Sequence, residues 1–445
     1  MALFFYGASY AFLILSFFTL LKGTVFSISI RRGYLGGIFI FRELFLLVLF
    51  GVLLFGVLGV SSFNVVHASE LDVHSTGVAI FLSVALLILS ISFFSRFVFS
   101  RYLMIPNYFR VDYVLPPRHI GTLVRSVSII LILLIFWAHL TGTSHAFIRS
   151  VVYSEDLMSV RLSNRYGSST VGHVMLMLKF SYIFLCLLVS YFGRVSAGKA
   201  ENVFHMVVVV YAATLPGDKA PLLQVIILAL VCFMAKGTFS PKKIFSVGIF
   251  SGLFLFLLLY FLVIVQYPGM TLEGFFFYLV DRLGVGQIQG VYEQFSLGLS
   301  DWRYILKEVP FSGVFTNPPS FSKDLMLNTL SQNRDASETG VMNSFFIGEA
   351  YAIGGFLFVL VSPIIVAFNY CFIAFFVIYF VVKFYMMDLR EAQLIGVLFC
   401  SSVIMFTGDF NGLLFGKKIF ILFFYFFIVF LTFRVIRGLI PFKSG

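Results

Sequence analysis

Charged side chains are scarce in this sequence: they make up 11% of its 445 residues, whereas hydrophobic residues make up 60%. An average soluble domain has roughly 25% charged residues, so this scarcity excludes an ordinary water-soluble globular protein. Tryptophan occurs only twice, against sixty phenylalanines that fall in long apolar runs suited to contact with lipid. The sequence therefore predicts an all-α polytopic membrane protein, with residues 1–445 forming a single multi-span domain.

Cysteine and histidine are also sparse. The four cysteines all fall inside apolar runs, without disulfide or metal-ligand spacing: Cys186, Cys232, Cys371 and Cys400. The seven histidines show no ligand spacing either, so we expect neither a metal nor a cofactor. The first apolar run, Ala2–Leu21, lacks a basic start and a small-residue cleavage site, which predicts a membrane span rather than a cleaved signal peptide.

The net charge is +11, but the basic residues cluster in short connections between apolar runs. That distribution follows the positive-inside rule for cytoplasmic loops and argues against a nucleic-acid interface. The apolar runs predict about eleven transmembrane helices, with the N-terminus outside and the basic connection 96–125 inside. Arg42 and Glu43, near the start of the second span, are predicted to pair at the inner interface.

Long polar stretches are lacking except for one, Gln266–Asn343, between two runs long enough to cross a bilayer. We predict one large extracytoplasmic loop at 266–343. Its aromatic content favours a functional segment over a tether. A smaller outer loop, 141–170, carries three arginines on the side where the positive-inside rule disfavours them, so we predict that it is functional too. They are Arg149, Arg161 and Arg165.

Two apolar runs, 203–214 and 222–235, are too short to span a membrane: at 1.5 Å per residue they reach only ~18–21 Å, against a hydrocarbon core of ~30 Å. The turn between them, Leu215–Pro221, is therefore expected beneath the outer surface, with Lys219 at the floor of a pocket. Lys179 lies inside another span, where a charge costs at least ~2.5 kcal/mol. We expect Lys179 to face a partner or a wet cavity.

Three stretches, together with the predicted topology, carry a resemblance to a known family. They are Asn343–Gly355, a Phe-rich piece that enters the next span; Gly217-Asp218-Lys219; and Asp281-Arg282-Leu283 near the start of the large loop. The arrangement resembles the Wzy-type O-antigen polymerases, which extend bacterial surface polysaccharide on undecaprenyl pyrophosphate. Its overall architecture also resembles that of GT-C-like glycosyltransferases.

The resemblance implies a glycosyltransferase in the bacterial cytoplasmic (inner) membrane, with its active site facing the periplasm. It would join lipid-linked oligosaccharide repeat units, and a chain-length regulator protein and membrane lipids are further candidate partners. Cations would stabilise the leaving lipid pyrophosphate: Arg282, Lys219, Arg161, Arg165 and Lys179. Glu349 and Asp281 are candidate catalytic bases, with Asp335 and Glu338 equally placed. Trp302, Tyr292 and Tyr304 are candidates for stacking on sugars.

Each candidate also has a structural alternative. Arg282 could pair with Asp281 or Glu273, Lys219 with Asp218, and Arg161 and Arg165 with Glu155 and Asp156; the aromatics could form the core of the loop. Two other functions fit the same outline. An O-antigen ligase transfers finished chains to lipid A-core, but its large outer loop typically carries a histidine, and residues 266–343 contain none. A non-enzymatic flippase or permease would be built from repeated bundles of spans, and no such repeat is evident.

Overall fold

The computed structural model describes residues 2–29, 34–59, 67–105, 119–155, 157–166, 171–196, 198–236, 241–267, 269–307, 309–310, 312, 316–329, 342–385, 387–408, 410–414 and 416–439. Within these ranges the chain is helical and forms no β-strand. Its extended segments pair only at two isolated bridges, Thr24–Met104 and Ser29–Tyr34. The prediction of an all-helical protein is confirmed for this part of the chain.

Six described helices are long and apolar enough to cross a membrane. They are Ile38–Leu58, Asp72–Val98, His119–Leu140, Gly172–Gly193, Ile347–Tyr385 and Lys418–Gly438. This finding agrees with a polytopic membrane protein, and the total of about eleven spans stays a prediction.

We number the helices in chain order. They are α1 (Ala2–Leu20), α2 (Ile38–Leu58), α3 (Glu70–Phe93), α4 (Ser100–Leu103), α5 (His119–Leu140), α6 (Ala146–Tyr153), α7 (Leu157–Tyr166), α8 (Val171–Ser196), α9 (Lys199–Thr214), α10 (Lys219–Lys236), α11 (Pro241–Gln266), α12 (Leu272–Val280), α13 (Gly286–Leu297), α14 (Phe321–Thr329), α15 (Ile347–Tyr385), α16 (Leu389–Val403), α17 (Phe410–Leu414) and α18 (Lys417–Leu439). Turns of π-helix occur within α2 at Arg42–Leu49, after α3 at Phe94–Val98, and between α12 and α13 at Asp281–Val285.

Helices α9 and α10 contain the two short runs predicted at 203–214 and 222–235 and extend beyond them, and the position of their turn beneath the outer surface stays a prediction. They contain 16 and 18 residues, which correspond to ~24 and ~27 Å, and neither is among the six helices above. Gly217, in the turn between them, has a φ of +85°, a conformation that glycine adopts without strain. A Cβ atom there would lie 2.6 Å from Ala146 Cβ and 2.8 Å from Arg161 Cγ. The connection 141–170, predicted to be the first outer loop, therefore packs directly on this turn.

The start of the large loop lies along α2. A Cβ atom on Gly51 of α2 would lie 2.7 Å from the carbonyl oxygen of Gly284, so the two backbones are in close contact. Four residues further along α2, the ring of Phe55 lies 4.3 Å from that of Tyr292. The segment 266–343 connects α11 to α15 as predicted, but its residues 284–292 pack against the bundle instead of projecting from it.

Helix α15 is kinked at two adjacent glycines, Gly354 and Gly355, which have non-helical backbone angles. The part before the kink begins inside the bundle, since Phe346 N donates a hydrogen bond of 3.2 Å to Phe406 O in the connection after α16. The stretch 343–355 therefore contains a short inward-packed helix, which begins at Ile347 and precedes the long apolar run.

Candidate functional site

A cavity of about 170 Å³ lies beside the turn that follows α16. Two lysines line it, Lys179 of α8 and Lys418 of the first turn of α18, together with Thr407 and Gly408 of the turn. The other lining side chains are apolar, such as Phe180. We call this site the lysine cavity. It is slightly larger than an engineered cavity of about 150 Å³ that admits benzene, so it has room for a small anionic group.

The lysine cavity has an excess of positive charge. Among the described residues, the charged side chains that interact electrostatically with Lys179 are Lys418, Arg42 and Glu43. These groups comprise three cations and one carboxylate. Lys418 also lies in the first turn of α18, where the helix dipole favours anions and disfavours cations. Charges at membrane depth are costly and generally functional, so this arrangement is suited to binding an anion.

Glu43 holds the turn that forms one wall of the lysine cavity. Its Oε1 accepts hydrogen bonds from Thr407 N at 2.9 Å and from Thr407 Oγ1 at 3.0 Å. The Glu43 side chain is 1% exposed. Because two donors of one residue converge on the same carboxylate oxygen, Glu43 fixes the position of Thr407.

Arg42 and Glu43 attract each other electrostatically, in agreement with the predicted pair, but their predicted place at the inner interface does not agree with the contact that Glu43 makes with Thr407. The chain after α1 folds into the bundle, where the ring of Phe26 lies 5.4 Å from that of Tyr370, midway along the long part of α15. Helix α2 therefore starts within the bundle, and Glu43 reaches Thr407 in a turn that was predicted to face outward. The Arg42 guanidinium carbon lies 5.2 Å from the centre of the Phe39 ring.

The connection 141–170 contacts the turn between α9 and α10 through polar groups. Arg161 of α7 forms an ion pair with Asp218, and Ala146 N donates a hydrogen bond of 3.2 Å to Leu215 O. The carboxylate of Glu155, one of the two partners considered for Arg161, lies 2.5 Å from Arg149. The other, Asp156, lies outside the described residues.

Arg282 lies near the same ion pair. Its guanidinium carbon is 5.7 Å from the centre of the Tyr278 ring, and its side chain hydrogen-bonds to that tyrosine. Burial raises the pKa of the Tyr278 phenol, and the positive charges of Arg282 and Arg161 oppose that rise. Both arginines therefore act on one phenol. We call Arg161, Asp218, Tyr278 and Arg282 the arginine cluster.

Helix α10 links the arginine cluster to the lysine cavity. It begins at Lys219, directly after Asp218. Five residues on, Gln224 Nε2 donates a hydrogen bond of 2.6 Å to the carbonyl of Ser402, which precedes Val403 in the wall of the cavity. The backbone of Lys219 thus lies at the end of α10 next to the arginine cluster, and the helix runs from there toward the lysine cavity. The side chain of Lys219 lies outside the described part of the structure. The same holds for the side chain of Arg165, in the last turn of α7.

The two candidate bases have different surroundings. Asp281 is exposed and adjoins Arg282 of the arginine cluster. Glu349 is fully buried, one helical turn beyond Phe346. The alternatives Asp335 and Glu338 lie outside the described residues. The structure therefore brings Asp281, but not Glu349, to an accessible surface beside the predicted cations.

Of the three aromatics predicted to stack on sugars, only Trp302 has an accessible ring, with 65% of the residue exposed. Tyr292 is fully buried against Phe55. Tyr304 is 5% exposed, and its ring lies 5.6 Å from that of Phe321. The sugar-binding prediction is therefore wrong for both tyrosines, because protein already covers their rings, and they form part of the core instead.

Among the described residues, no group of three histidine, cysteine, aspartate or glutamate side chains is arranged to hold a metal ion. Comparison with known proteins gives no match to a family model, a curated protein or a solved structure. The function proposed below therefore rests on the chemistry of the side chains in the lysine cavity and the arginine cluster.

Sequence reasoning missed Lys418, Thr407 and the true position of Glu43. The sequence did contain a signal for Lys418. This lysine begins the last predicted span on the side predicted to be outside, where the positive-inside rule disfavours lysine. No comparable signal existed for Glu43. Its contact with Thr407 joins residues 364 positions apart and depends on how the chain after α1 enters the bundle.

Proposed function

We propose that this protein is a glycosyltransferase of the O-antigen polymerase type. It would transfer a growing glycan from undecaprenyl pyrophosphate to a new lipid-linked repeat unit, at the periplasmic face of a bacterial inner membrane. The arrangement of the outer loops and the three short stretches described above support this assignment over a ligase or a flippase.

The observation that carries the proposal is the excess of positive charge around the lysine cavity. Lys179 interacts electrostatically with Lys418 and Arg42, and Glu43 is the one carboxylate among its described charged neighbours; the other described side chains that line the cavity are apolar except for Thr407. A lipid pyrophosphate has the complementary properties: a compact polyanion at the end of an isoprenoid chain that remains in the membrane. Lysine supplies point charges for phosphate, and arginine supplies a fork of N–H donors.

The proposed reaction breaks the bond between the anomeric carbon and the pyrophosphate oxygen. The electron pair of that bond leaves with the lipid pyrophosphate, where the lysine cavity stabilises the charge that develops. A hydroxyl of the incoming repeat unit forms the new bond to the anomeric carbon, and its proton passes to a base, for which Asp281 is the accessible candidate. Arg282 and Arg161 would hold the phosphates of one of the two lipid-linked substrates, and Trp302 would stack on a sugar.

The function is tested in a deletion strain by analysing its lipid-linked glycans, with and without a plasmid-borne copy of the gene. A polymerase deletion should leave one repeat unit per lipid, accessible from the outer face of the membrane. Restoring the gene should restore a ladder of chain lengths. Long chains on undecaprenyl pyrophosphate in the deletion strain would instead indicate a ligase, and single repeats confined to the inner leaflet would indicate a flippase.

A further inference from the structure

Glu43 is the one carboxylate among the described charged neighbours of Lys179, and the reaction outlined above gives it no role. It lies in the π-helical part of α2, is almost fully buried, and contacts the cavity wall through two hydrogen bonds to Thr407. Burying a carboxylate costs free energy unless it is paired and hydrogen-bonded. The presence of Glu43 at this position therefore indicates a role beside the lysine cavity.

We propose that Glu43 is a positioning residue that fixes the turn at Thr407 and limits the positive charge of the lysine cavity, so that a pyrophosphate group binds there and is still released. This inference rests on the proposed function, because it concerns the site assigned to the leaving group. It adds a residue that controls how long that group stays.

The geometric part of the inference concerns Thr407. Both its backbone N–H and its hydroxyl donate to one carboxylate oxygen of Glu43, so the orientation of this residue is determined. The neighbouring Phe406 is also held, because its carbonyl accepts a hydrogen bond from Phe346 N. The turn that carries Thr407 and Gly408 along the cavity wall is therefore held at two points, so the wall keeps a fixed shape around a bound anion.

The electrostatic part concerns the strength of binding. With Glu43 ionised, the cavity group has three cations and one anion. Without that negative charge the three cations would act on the bound anion unopposed. A product that carries several negative charges would then dissociate slowly, and release of product limits the turnover of many enzymes.

The inference is tested with inorganic pyrophosphate and the purified full-length protein in detergent, by isothermal titration calorimetry. Glu43→Gln keeps the shape and one acceptor oxygen for Thr407 but removes the charge. We expect it to bind pyrophosphate at least about tenfold more tightly, because one unit charge at roughly 10 Å in a partly buried site has that effect on a singly charged ligand and pyrophosphate carries several charges. Lys179→Met should weaken the same binding. Loss of structure would weaken pyrophosphate binding in both variants, so it would not explain tighter binding by one variant and weaker binding by the other.

Steady-state kinetics provide a second readout. In transfer assays with lipid-linked repeat units, Glu43→Gln should lower KM and kcat together, because slower release of product affects both. Thr407→Val loses the hydroxyl bond to Glu43, whereas Thr407→Ser keeps it, so the serine variant should retain several-fold more turnover than the valine variant. Should Glu43→Gln fail to fold, equal turnover of the two Thr407 variants would overturn the inference.

Glu293→Gln is the matched control. Glu293 is another fully buried glutamate, which accepts a hydrogen bond from His67 N and is not among the charged neighbours of Lys179. Its replacement should leave pyrophosphate affinity unchanged. Unchanged or weaker pyrophosphate binding by Glu43→Gln overturns the role of Glu43, even where the wild type makes long glycans. Tighter binding by Glu43→Gln in a protein that transfers no glycan supports that role and contradicts the proposed function.

Discussion

Replacing Lys179 with methionine is expected to remove long glycan chains while the protein stays in the membrane at its normal level. Loss of one donor from a preorganised site typically costs about 100–1000-fold in rate, which is enough to reduce a ladder to single repeats. The protein itself should tolerate the change. Methionine is similar in length and apolar, and replacing a charge at membrane depth with an apolar side chain removes a cost of about 2.5–3.5 kcal/mol.

The measurement for Lys179→Met is a gel of surface polysaccharide beside an immunoblot of the membrane fraction. Lys418→Met should act in the same direction, because Lys418 lines the same cavity. Lys199→Met is the matched control, since Lys199 is an exposed lysine in the first turn of α9, and it should keep the full ladder. A normal ladder from both cavity variants at normal protein level would remove the lysine cavity from the site.

Replacing Arg282 with alanine is also expected to shorten the ladder to single repeats, with intact protein in the membrane. Arg282 lies against the Tyr278 ring and, within the described residues, forms an ion pair with neither Asp281 nor Glu273, the structural alternatives considered for it. Arg282→Lys should restore only part of the ladder, since lysine keeps the charge but loses the bidentate fork. The same gel and immunoblot measure both variants.

Arg303→Ala is the matched control for Arg282. Arg303 belongs to the same large loop, is 62% exposed at its side chain, and forms an ion pair of 2.7 Å with Asp301. Solvent screens an exposed ion pair, which therefore contributes little to stability, so this variant should behave like the wild type. Loss of the ladder in Asp281→Asn together with loss of protein, to the same degree as in Arg282→Ala, would point to a structural role for Arg282.

The sequence was sufficient for features that depend on local composition. Long apolar runs located the helices that are apolar and long enough to cross a membrane. The small number of residues in 203–214 and 222–235 predicted two shorter helices. The charge on Lys179 inside such a run was enough to predict that it faces a cavity, because few other environments tolerate it.

Features that depend on packing between distant segments could not be predicted. The contact of Gly51 with Gly284 requires two glycines 233 positions apart to face each other, and nothing near either residue indicates it. The aromatic residues of the large loop illustrate the same limit. Tyr292 and Trp302 are equivalent candidates in sequence, and only the structure separates a buried ring from an exposed one.

The most direct test of the central claim is to supply purified lipid-linked repeat units to the purified protein in liposomes. The glycan lengths and the free undecaprenyl pyrophosphate are then measured together. We predict glycans of several repeats on one lipid, with one undecaprenyl pyrophosphate released for each new bond, and neither product from Lys179→Met. Repeat units that stay single with the wild-type protein, or glycans that lengthen equally with Lys179→Met, would contradict the assignment of the lysine cavity as the site of the leaving pyrophosphate.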